Sequence, residues 1–529
     1  MQTTFLQALS DNIKIDLDKC TFCATCVQTC ILDNIRMKLA PCSNACPLNG
    51  NCQGYIQLIL RGKDEEALKM VKRDIPFPAI LGRICSAPCE NVCHMKKKSG
   101  EAVAIRQLKR YLTDKLGDKD IPNLDEATGK KCAVLGTGPS AMTAAFDLLK
   151  KGHSVTAFEK ESEAGGMLRW GIPAFRLPLD ILKKEFIKLK KMGLKLKLNK
   201  VIGKDISLAD LQRNFDVIIV CAGLQKSKSL NIPGVKAENV YSALDFLKSV
   251  RSDSPLTLGE KVVVVGGGDV ALDSAQTALR AGAKVVDIIA LESRGEIPAN
   301  PHLLAIAESE GVNLINSWGP SRFLIENGRA NKLKFKRCDS VFDEQGNFSP
   351  IYDDSQIKEL EADNVIIAIG QTADHELLNG SFEFDKLTLQ TSQENIFIAG
   401  DLTGMGNTVV EAMASGREAA ESVHRYLIND PLSYGRSYQG LNDTEFDIDH
   451  DKSSKEKRII VGVSKFKGKG DFTEIEQSIV GNAEAKNEAS RCNSCGSPFG
   501  KYRSCWFCLP CEVECPNDAL YVEIPYLLR

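Results

Sequence analysis

The chain lacks the features that draw a protein to nucleic acid or lipid. Its 67 Lys and Arg residues are offset by 69 Asp and Glu, a formal net charge of −2 over 529 residues. Nucleic-acid and membrane-surface proteins normally carry a basic field or stripe, so both classes are set aside. Long apolar runs are missing too. The longest, such as KVVVVGGG and FDVIIVCAG, fall short of the roughly 18 residues of a membrane span and have the length of buried parallel strands. The opening MQTTFLQALSDNIK has no basic region followed by an apolar one, so no secretory signal and no membrane insertion are expected. The expected location is cytoplasmic.

A reducing compartment leaves 19 cysteines to be explained by something other than disulfides. Sixteen fall in three groups, Cys20–Cys30, Cys42–Cys93 and Cys492–Cys515. Cys132, Cys221 and Cys338 stand alone and are expected to be small buried apolar residues. The length predicts three or four domains. Residues 1–40 form a short cysteine-bearing arm. In 41–120, DEEALKMVKRDI and EAVAIRQLKRYLTDKL space apolar residues as helices do. From 131 to about 430, apolar strands alternate with helices, the pattern of α/β layers on parallel sheets. Residues 431–490 are polar and charged and are expected to be a largely extended linker. A second cysteine-rich segment, 491–529, closes the chain.

Two dinucleotide fingerprints mark the α/β region. In KCAVLGTGPSAMTAAFDLLKKGHSVTAFEK a strand runs into Gly136, Gly138, Pro139, Ser140 and Ala141, and a helix follows. Gly136 permits the tight turn, Gly138 lets the backbone approach a pyrophosphate, and Ala141 allows close helix–strand packing. The next strand ends at Glu159 and Lys160, where an acid would bond the adenosine ribose. In EKVVVVGGGDVALDSAQTALRAGAKVVDIIALESRGEIPA, Gly266, Gly267 and Gly268 precede a helix beginning near Asp269 and Val270. Glu292, Ser293 and Arg294 hold the ribose position. A third element, NIFIAGDLTGMGNTVVEAMASGREAA, has Gly400-Asp401 after a strand, then a glycine turn and a helix from about Val409.

These motifs, with GGMLRWGIPAFRLP at 165–178 and VIIAIGQTAD at 365–374, resemble the small subunit of glutamate synthase. They are also similar to the N-terminal half of dihydropyrimidine dehydrogenase and to related NAD(P)H:ferredoxin-type oxidoreductase subunits. The resemblance covers roughly residues 41–430. It implies an α/β flavoprotein core with two dinucleotide-binding domains: an FAD domain (131–250 and 365–430) and an inserted NAD(P) domain (255–364). An α-helical Fe–S module (41–120) precedes the core, and ferredoxin-like Fe–S segments flank the whole. The resemblance places FAD at the first fingerprint and at Glu159, Gly166, Leu168, Val201, Ala222, Gly223, Gly400, Asp401 and Val409. The nicotinamide nucleotide falls to Gly267, Gly268, Asp269, Val270, Glu292, Ser293, Arg294, Ala368 and Gly370. NADPH-using members often carry two arginines where this chain has Leu291-Glu292. A Glu there repels a 2′-phosphate and accepts from a free 2′-hydroxyl, which favours NADH; Arg294 remains as a possible phosphate partner.

Cys20, Cys23, Cys26 and Cys30 follow the C-x2-C-x2-C-x3-C spacing of ferredoxins, though Ile31 stands where Pro usually follows. Zinc is the rival ligand; it more often uses two separated pairs. By resemblance, Cys42, Cys46, Cys85, Cys89 and Cys93 match the cluster cysteines of the helical module, and Cys52 is additional. One cluster with spare thiols, or two completed by Cys52 and by Cys30 or a non-cysteine ligand, both remain open, with two favoured. The tail carries Cys505, Cys508, Cys511 and Cys515 before Pro516, a ferredoxin-type run, preceded by the pair Cys492 and Cys495. That pair is open to three roles: joining Cys515 on a cluster, binding zinc, or structure alone. Sixteen thiolates suffice for about four [4Fe–4S] clusters.

Together these imply an NAD(P)H:acceptor oxidoreductase. The nicotinamide gives two electrons as a hydride, clusters carry one at a time, and flavin does both. No acid–base side chain is needed for hydride transfer, so no catalytic residue is assigned. The expected partner is a ferredoxin or a catalytic metalloenzyme subunit in a hetero-oligomeric complex. The alternative is a glutamate-synthase-type small subunit feeding a large one. A disulfide reductase would need a redox C-x2-C beside the flavin, and residues 131–430 have none.

Overall fold

The computed structural model describes residues 12–524, apart from 17–18, 22–24, 31–34, 39, 118–119, 253–255, 374–382, 435, 437–453, 501–504 and 506–507. Cys23 and residues 437–453 of the expected linker lie outside the described residues.

Two parallel five-stranded sheets organise the core. The first runs Ile396–Ile398, Val217–Val220, Lys131–Leu135, Ser154–Phe158, Lys195–Lys197. The second runs Val312–Asn316, Val285–Ala290, Lys261–Val265, Asn364–Ile367, Val240–Ser242. Every residue of Val217–Val220 and Asn364–Ile367 is buried, as strands covered on both faces require. The middle strand of each sheet enters a glycine turn and then a helix, Pro139–Lys150 in the first and Asp269–Ala281 in the second. An antiparallel sheet of Trp318–Glu326, Arg329–Phe342 and Phe348–Glu361 extends the second domain.

The inserted domain is wider than the expected 255–364. Val240–Ser242 pairs with Asn364–Ile367, which pairs with Lys261–Val265. The chain rejoins the first sheet only at Ile396–Ile398. Lys226–Ser227 and Gln371–Thr372 pair antiparallel where the chain leaves and returns. An apolar run such as NVII announces a buried strand but not which sheet buries it, so the sequence boundary falls on the wrong side of this strand.

Helices Cys52–Leu60, Asp64–Asp74, Pro78–Ile84 and Ile105–Leu116 form the N-terminal helical domain. Its apolar core is continuous with that of the first sheet, running from Tyr55, Leu81 and Leu108 through Met142 and Val217 to Met413. Arg417 locks the junction: its Nη1 donates to Asp74 O at 2.6 Å and its Nε to Asp147 Oδ2 at 3.1 Å.

A histidine pair, His153 buried and His424 half-buried, ties two elements of the first domain. His153 Nε2 lies 2.9 Å from His424 Nδ1, and His153 Nδ1 lies 2.7 Å from the Thr128 hydroxyl. Burial first, then the neighbouring His424, holds His153 down to about 4; burial lowers His424 too. Unfolded histidine takes its proton near pH ~6.5. The pair's contribution is therefore present above that pH and is lost as pH falls toward 4. A His153→Gln variant is expected to show a flatter dependence of its thermal midpoint between pH 7 and pH 5 than the unaltered chain; parallel slopes in calorimetry would refute this.

The expected linker, 431–490, is clamped rather than loose in its described part, and its last nine residues, Asn482–Ser490, are a helix rather than extended chain. Ile475 is buried with Phe175 and Ile306. Glu476 accepts from Arg106 at 2.6 and 2.7 Å and meets His302 Nε2 at 3.0 Å. Glu474 pairs with Arg83 at 2.9 Å and Arg110 at 2.8 Å. The segment thus straps the helical domain to the inserted domain. The charged stretches KSSKEKR and KFKGKG read as solvated linker, yet Arg458 of the first donates to Ala102 O and Glu90, each at 2.7 Å, and further anchors lie in DFTEIEQSIV before the next helix.

That helix, Asn482–Ser490, docks on Cys52–Leu60 and ends in a buried ion pair. Glu488 (0% side-chain exposure) and Arg491 (1%) meet at 2.9 Å. Glu488 also accepts from the amides of Ala104 and Ile459, each at 2.7 Å. Arg491 donates to Ala102 O at 2.7 Å and Glu101 O at 2.8 Å.

The two ends of the chain fold together. Ile13–Ile15 pairs antiparallel with Leu520–Val522, and Ile35–Lys38 with Ser497–Gly500. Helix Thr25–Thr29 contacts helix Pro510–Val513. The ferredoxin-like segments expected to be separate, at 1–40 and 491–529, thus join into one module through their described strands and helices, from Ser497 onward in the second. Arg61, at the end of helix Cys52–Leu60, joins it to the helical domain through Lys19 O at 3.1 Å.

Candidate functional site

The first fingerprint opens at the C-terminal edge of its sheet, where ligands of open α/β sheets bind. A methyl on Gly136 (φ +111°) would stand 2.5 Å from Cys221 O, so the tight turn admits only glycine. A methyl on Gly166 (φ +51°) would stand 2.7 Å from Gly138 Cα. The loop carrying Gly166 and buried Leu168 therefore lies against the fingerprint. Thr137 joins three parts of the site: its hydroxyl donates to Glu159 and accepts from Gly165 N at 2.9 Å. Glu159, expected at a ribose, is buried and also accepts from Glu161 N at 3.0 Å.

Lys160, Val201, and Ala222 with Gly223 follow the other strands of this edge. Gly400 sits against Ser140, whose Oγ is 2.5 Å from where a Cβ would be. Pro139 and Ala141 lie in the first turn of helix Pro139–Lys150, which has no side-chain cap at Gly138. Helix Val409–Leu427, by contrast, is capped by its own Thr408 and Glu411. Asp401 supplies the test of fit for a flavin. Its Oδ1 is buried with no protein partner, and burial, then Glu411, raises its carboxyl to about 6. A buried unpaired acceptor is costly, and a ligand hydroxyl chain is the kind of donor it lacks.

The second fingerprint repeats this geometry. A methyl on Gly266 (φ +140°) would meet Ala368 O at 2.3 Å, and one on Gly267 would meet Glu292 Oε2 at 2.7 Å. Gly268 differs, since its Cβ position faces open space, with nothing within 4 Å. It caps helix Asp269–Ala281 without a side-chain bond, leaving the turn free for a pyrophosphate. Asp269 accepts from Asn300 N at 2.7 Å, and Val270 is 41% exposed. Ser293 donates to Glu296 at 2.6 Å. Arg294, the residue left for a 2′-phosphate, is engaged by Glu308 through two bonds of 2.7 and 2.8 Å. Gly370 (φ +106°) accepts from Lys228 N at 3.0 Å, at the crossing between the two domains.

The thiols gather in separate places. Cys42, Cys46 and Cys89 each hydrogen-bond to Cys52, and the Cys85 thiol is close enough to feel Cys89 and Cys46. Gln107 escaped the sequence reading; it is 3% exposed, and neither amide atom has a partner. In the terminal module the groups cross. Cys30 lies with Cys505, Cys508 and Cys511, while Cys20 shares a small cluster with Cys515 and Ala519. Cys492 and Cys495 stand apart from that module, beside the helical domain, which removes the option of joining them to Cys515. Burial pushes Cys492 up to about 12, and Cys495 and Cys511 to about 11. Such thiols become thiolates only with a cation to hold. Cys132, Cys221 and Cys338 are buried and stand alone, as expected.

Residues 130–416, more than half of the chain, match the pyridine nucleotide-disulphide oxidoreductase family. The chain belongs to that family. Residues 6–121 match dihydropyrimidine dehydrogenase domain II, 4Fe-4S cluster. Three curated relatives are the NADP(+)-dependent formate dehydrogenase subunit beta of Moorella thermoacetica, the Glutamate synthase [NADPH] small chain of Azospirillum brasilense, and the NAD-dependent dihydropyrimidine dehydrogenase subunit PreT of Escherichia coli K12. The first is 33% identical, over 86% of this chain and 70% of its own length. The second is 30% identical, over 73% and 86%, and the third 30%, over 73% and 91%. Among solved structures, FprA from Mycobacterium tuberculosis shares the fold, with a TM-score of 0.51 at 18% identity over 57% of this chain and 85% of its own.

This family member is thus an oxidoreductase with flavin and pyridine-nucleotide folds behind a 4Fe-4S domain. Among the described residues, no helix is long and apolar enough to cross a membrane.

Proposed function

We propose that the chain is an electron-transfer subunit that exchanges electrons between NADH and a protein partner, a ferredoxin or the metal-bearing catalytic subunit of a hetero-oligomeric complex. One observation carries this: both cysteine-bearing ends fold into a single module docked on the helical domain, and that domain shares its core with the first fingerprint sheet. A path of thiols therefore leads from the flavin fold to an outer module. FAD, when bound, supplies the conversion of a two-electron hydride into single electrons. The chain's own residues bind, orient and insulate. Gly138, Gly166 and Gly400 form the cradle that a Cβ would fill. Asp401 offers an acceptor to the flavin's hydroxyl chain, and Gly268 leaves room for the nicotinamide nucleotide's pyrophosphate.

In the outer module, Cys20 and Cys26, with Cys23 assigned by its sequence spacing alone, take Cys515 as their fourth ligand, and Cys505, Cys508 and Cys511 take Cys30. This exchange of the fourth cysteine is usual in two-cluster ferredoxins, here assembled from the two chain ends. In the helical domain, Cys46, Cys85 and Cys89 form a further set with Cys52.

The preference for NADH rests on Glu292 at the ribose position and on Arg294 being held by Glu308. A double change, Glu292→Gln with Glu308→Gln, removes one repelling charge and releases the arginine. It is expected to raise kcat/KM for NADPH relative to NADH by about tenfold, which corresponds to ~1.4 kcal/mol. Steady-state assays with both nucleotides check this, and an unchanged ratio contradicts it. The proposal as a whole is tested by supplying NADH to the holoprotein with a low-potential ferredoxin or viologen as acceptor. Acceptor reduction that requires FAD supports it; no turnover with either nucleotide refutes it.

A further inference from the structure

We infer that Cys42 and Cys93 of the helical domain and Cys492 and Cys495 of the C-terminal tail together ligate one [4Fe–4S] cluster. The inference deepens the relay reading above, and it stands on geometry. These four thiols line one pocket, walled by Ile56, Met95, Val103 and Ile105. The tail reaches this place by a rigid route. Arg491, the residue before Cys492, is buried and fixed to Ala102 O and Glu101 O, and so holds the tail beside Val103. Two residues after Cys492, Ser494 accepts from Gln53 Nε2 at 3.3 Å. The C-x2-C pair is thus delivered to the helical domain by a buried anchor.

The chemistry of the donors fits a cluster better than a zinc ion. Four thiols suit either, but zinc holds them at about 2.3 Å and draws them into a tight tetrahedron. Among the described residues, no three His, Cys, Asp or Glu side chains stand close enough to share a single metal ion. An iron–sulfur cube carries its four ligands on separate corners and so takes thiols that do not converge on one point. The partition of thiols also closes. Cys46, Cys52, Cys85 and Cys89 make one set of four and these residues another, with Cys42 also bonded to Cys52 where the two sets meet, and eight of the sixteen grouped cysteines remain. The tail then serves two clusters in succession, tying the helical domain to the outer module through one short stretch of chain.

Iron counting on anaerobically purified holoprotein tests the assignment without reference to NADH oxidation, so its failure is distinct from failure of the relay. Cys42→Ser, Cys495→Ser and the double variant are compared for iron and FAD per chain and for the EPR spectrum after dithionite. Each single variant is expected to lose about four iron atoms and the same EPR component. The double variant is expected to lose no more than either single one. Loss of twice as much iron in the double variant would mean that the two residues serve different clusters, and would overturn the inference. So would unchanged iron in Cys495→Ser. Should a variant not retain FAD, anomalous scattering at the iron and zinc edges from crystals of the unaltered protein decides. A four-iron peak among the four Sγ atoms supports the site; a zinc peak, or no metal, overturns it.

Discussion

Replacing Arg491 with methionine is expected to lower the thermal midpoint by several degrees and to reduce iron content in the same preparation. The side chain is buried with Glu488, and its other bonds go to the carbonyls of Ala102, Glu101 and Glu456. Methionine fills much of the volume but leaves Glu488 as a buried carboxylate without its counter-charge. Breaking a buried pair from one side costs about 3–5 kcal/mol, largely from the uncompensated charge that remains. A second change, Glu488→Gln, in the same chain should recover part of the loss. It will not recover all, since Glu488 also accepts from the amides of Ala104 and Ile459. Calorimetry with iron analysis checks both points. A variant as stable and as iron-rich as the parent would show that Arg491 does not anchor the tail.

The second large effect is selective. Gly268→Val should leave fold, FAD and iron intact while weakening the nicotinamide nucleotide at least tenfold, or ~1.4 kcal/mol. Its backbone, φ −95° and ψ 178°, is extended and suits any residue, and no protein atom lies within 4 Å of the added Cβ. Only a ligand approaching the bare helix terminus would meet the side chain. Gly166→Ala is the contrast. Its positive φ and the 2.7 Å approach to Gly138 Cα displace backbone, so FAD content should fall instead. Flavin absorbance and KM for NADH separate the two. Equal flavin loss in both variants would contradict the division of the chain into two nucleotide sites.

The nucleotide folds were legible because their constraints are local. A strand, a glycine turn and a helix must follow one another within about thirty residues, so Gly136–Ala141 and Gly266–Val270 could be located from sequence alone. The domain boundary was not legible, because Asn364–Ile367 is a buried strand in either sheet and only pairing decides. The strap was missed for a related reason. Glu474 and Glu476 look like solvated charges until Arg83, Arg106 and Arg110 are brought across from a distant helix pair. The joining of the termini is the extreme case. IKI at 13–15 and LYV at 520–522 carry no mark of each other. Spacing also singled out the pair Cys492 and Cys495, but not that they line one pocket with Cys42 and Cys93 from the opposite end of the chain.

The most direct test of the electron path is anaerobic titration of the holoprotein with NADH, followed by flavin absorbance and low-temperature EPR. The account predicts bleaching of the flavin with the appearance of reduced-cluster signals at the same additions, and, in a chain that retains FAD but carries Cys46→Ser with Cys495→Ser, bleaching of the flavin by NADH without those cluster signals. Clusters that respond to dithionite while the flavin stays oxidised under excess NADH and NADPH would contradict it.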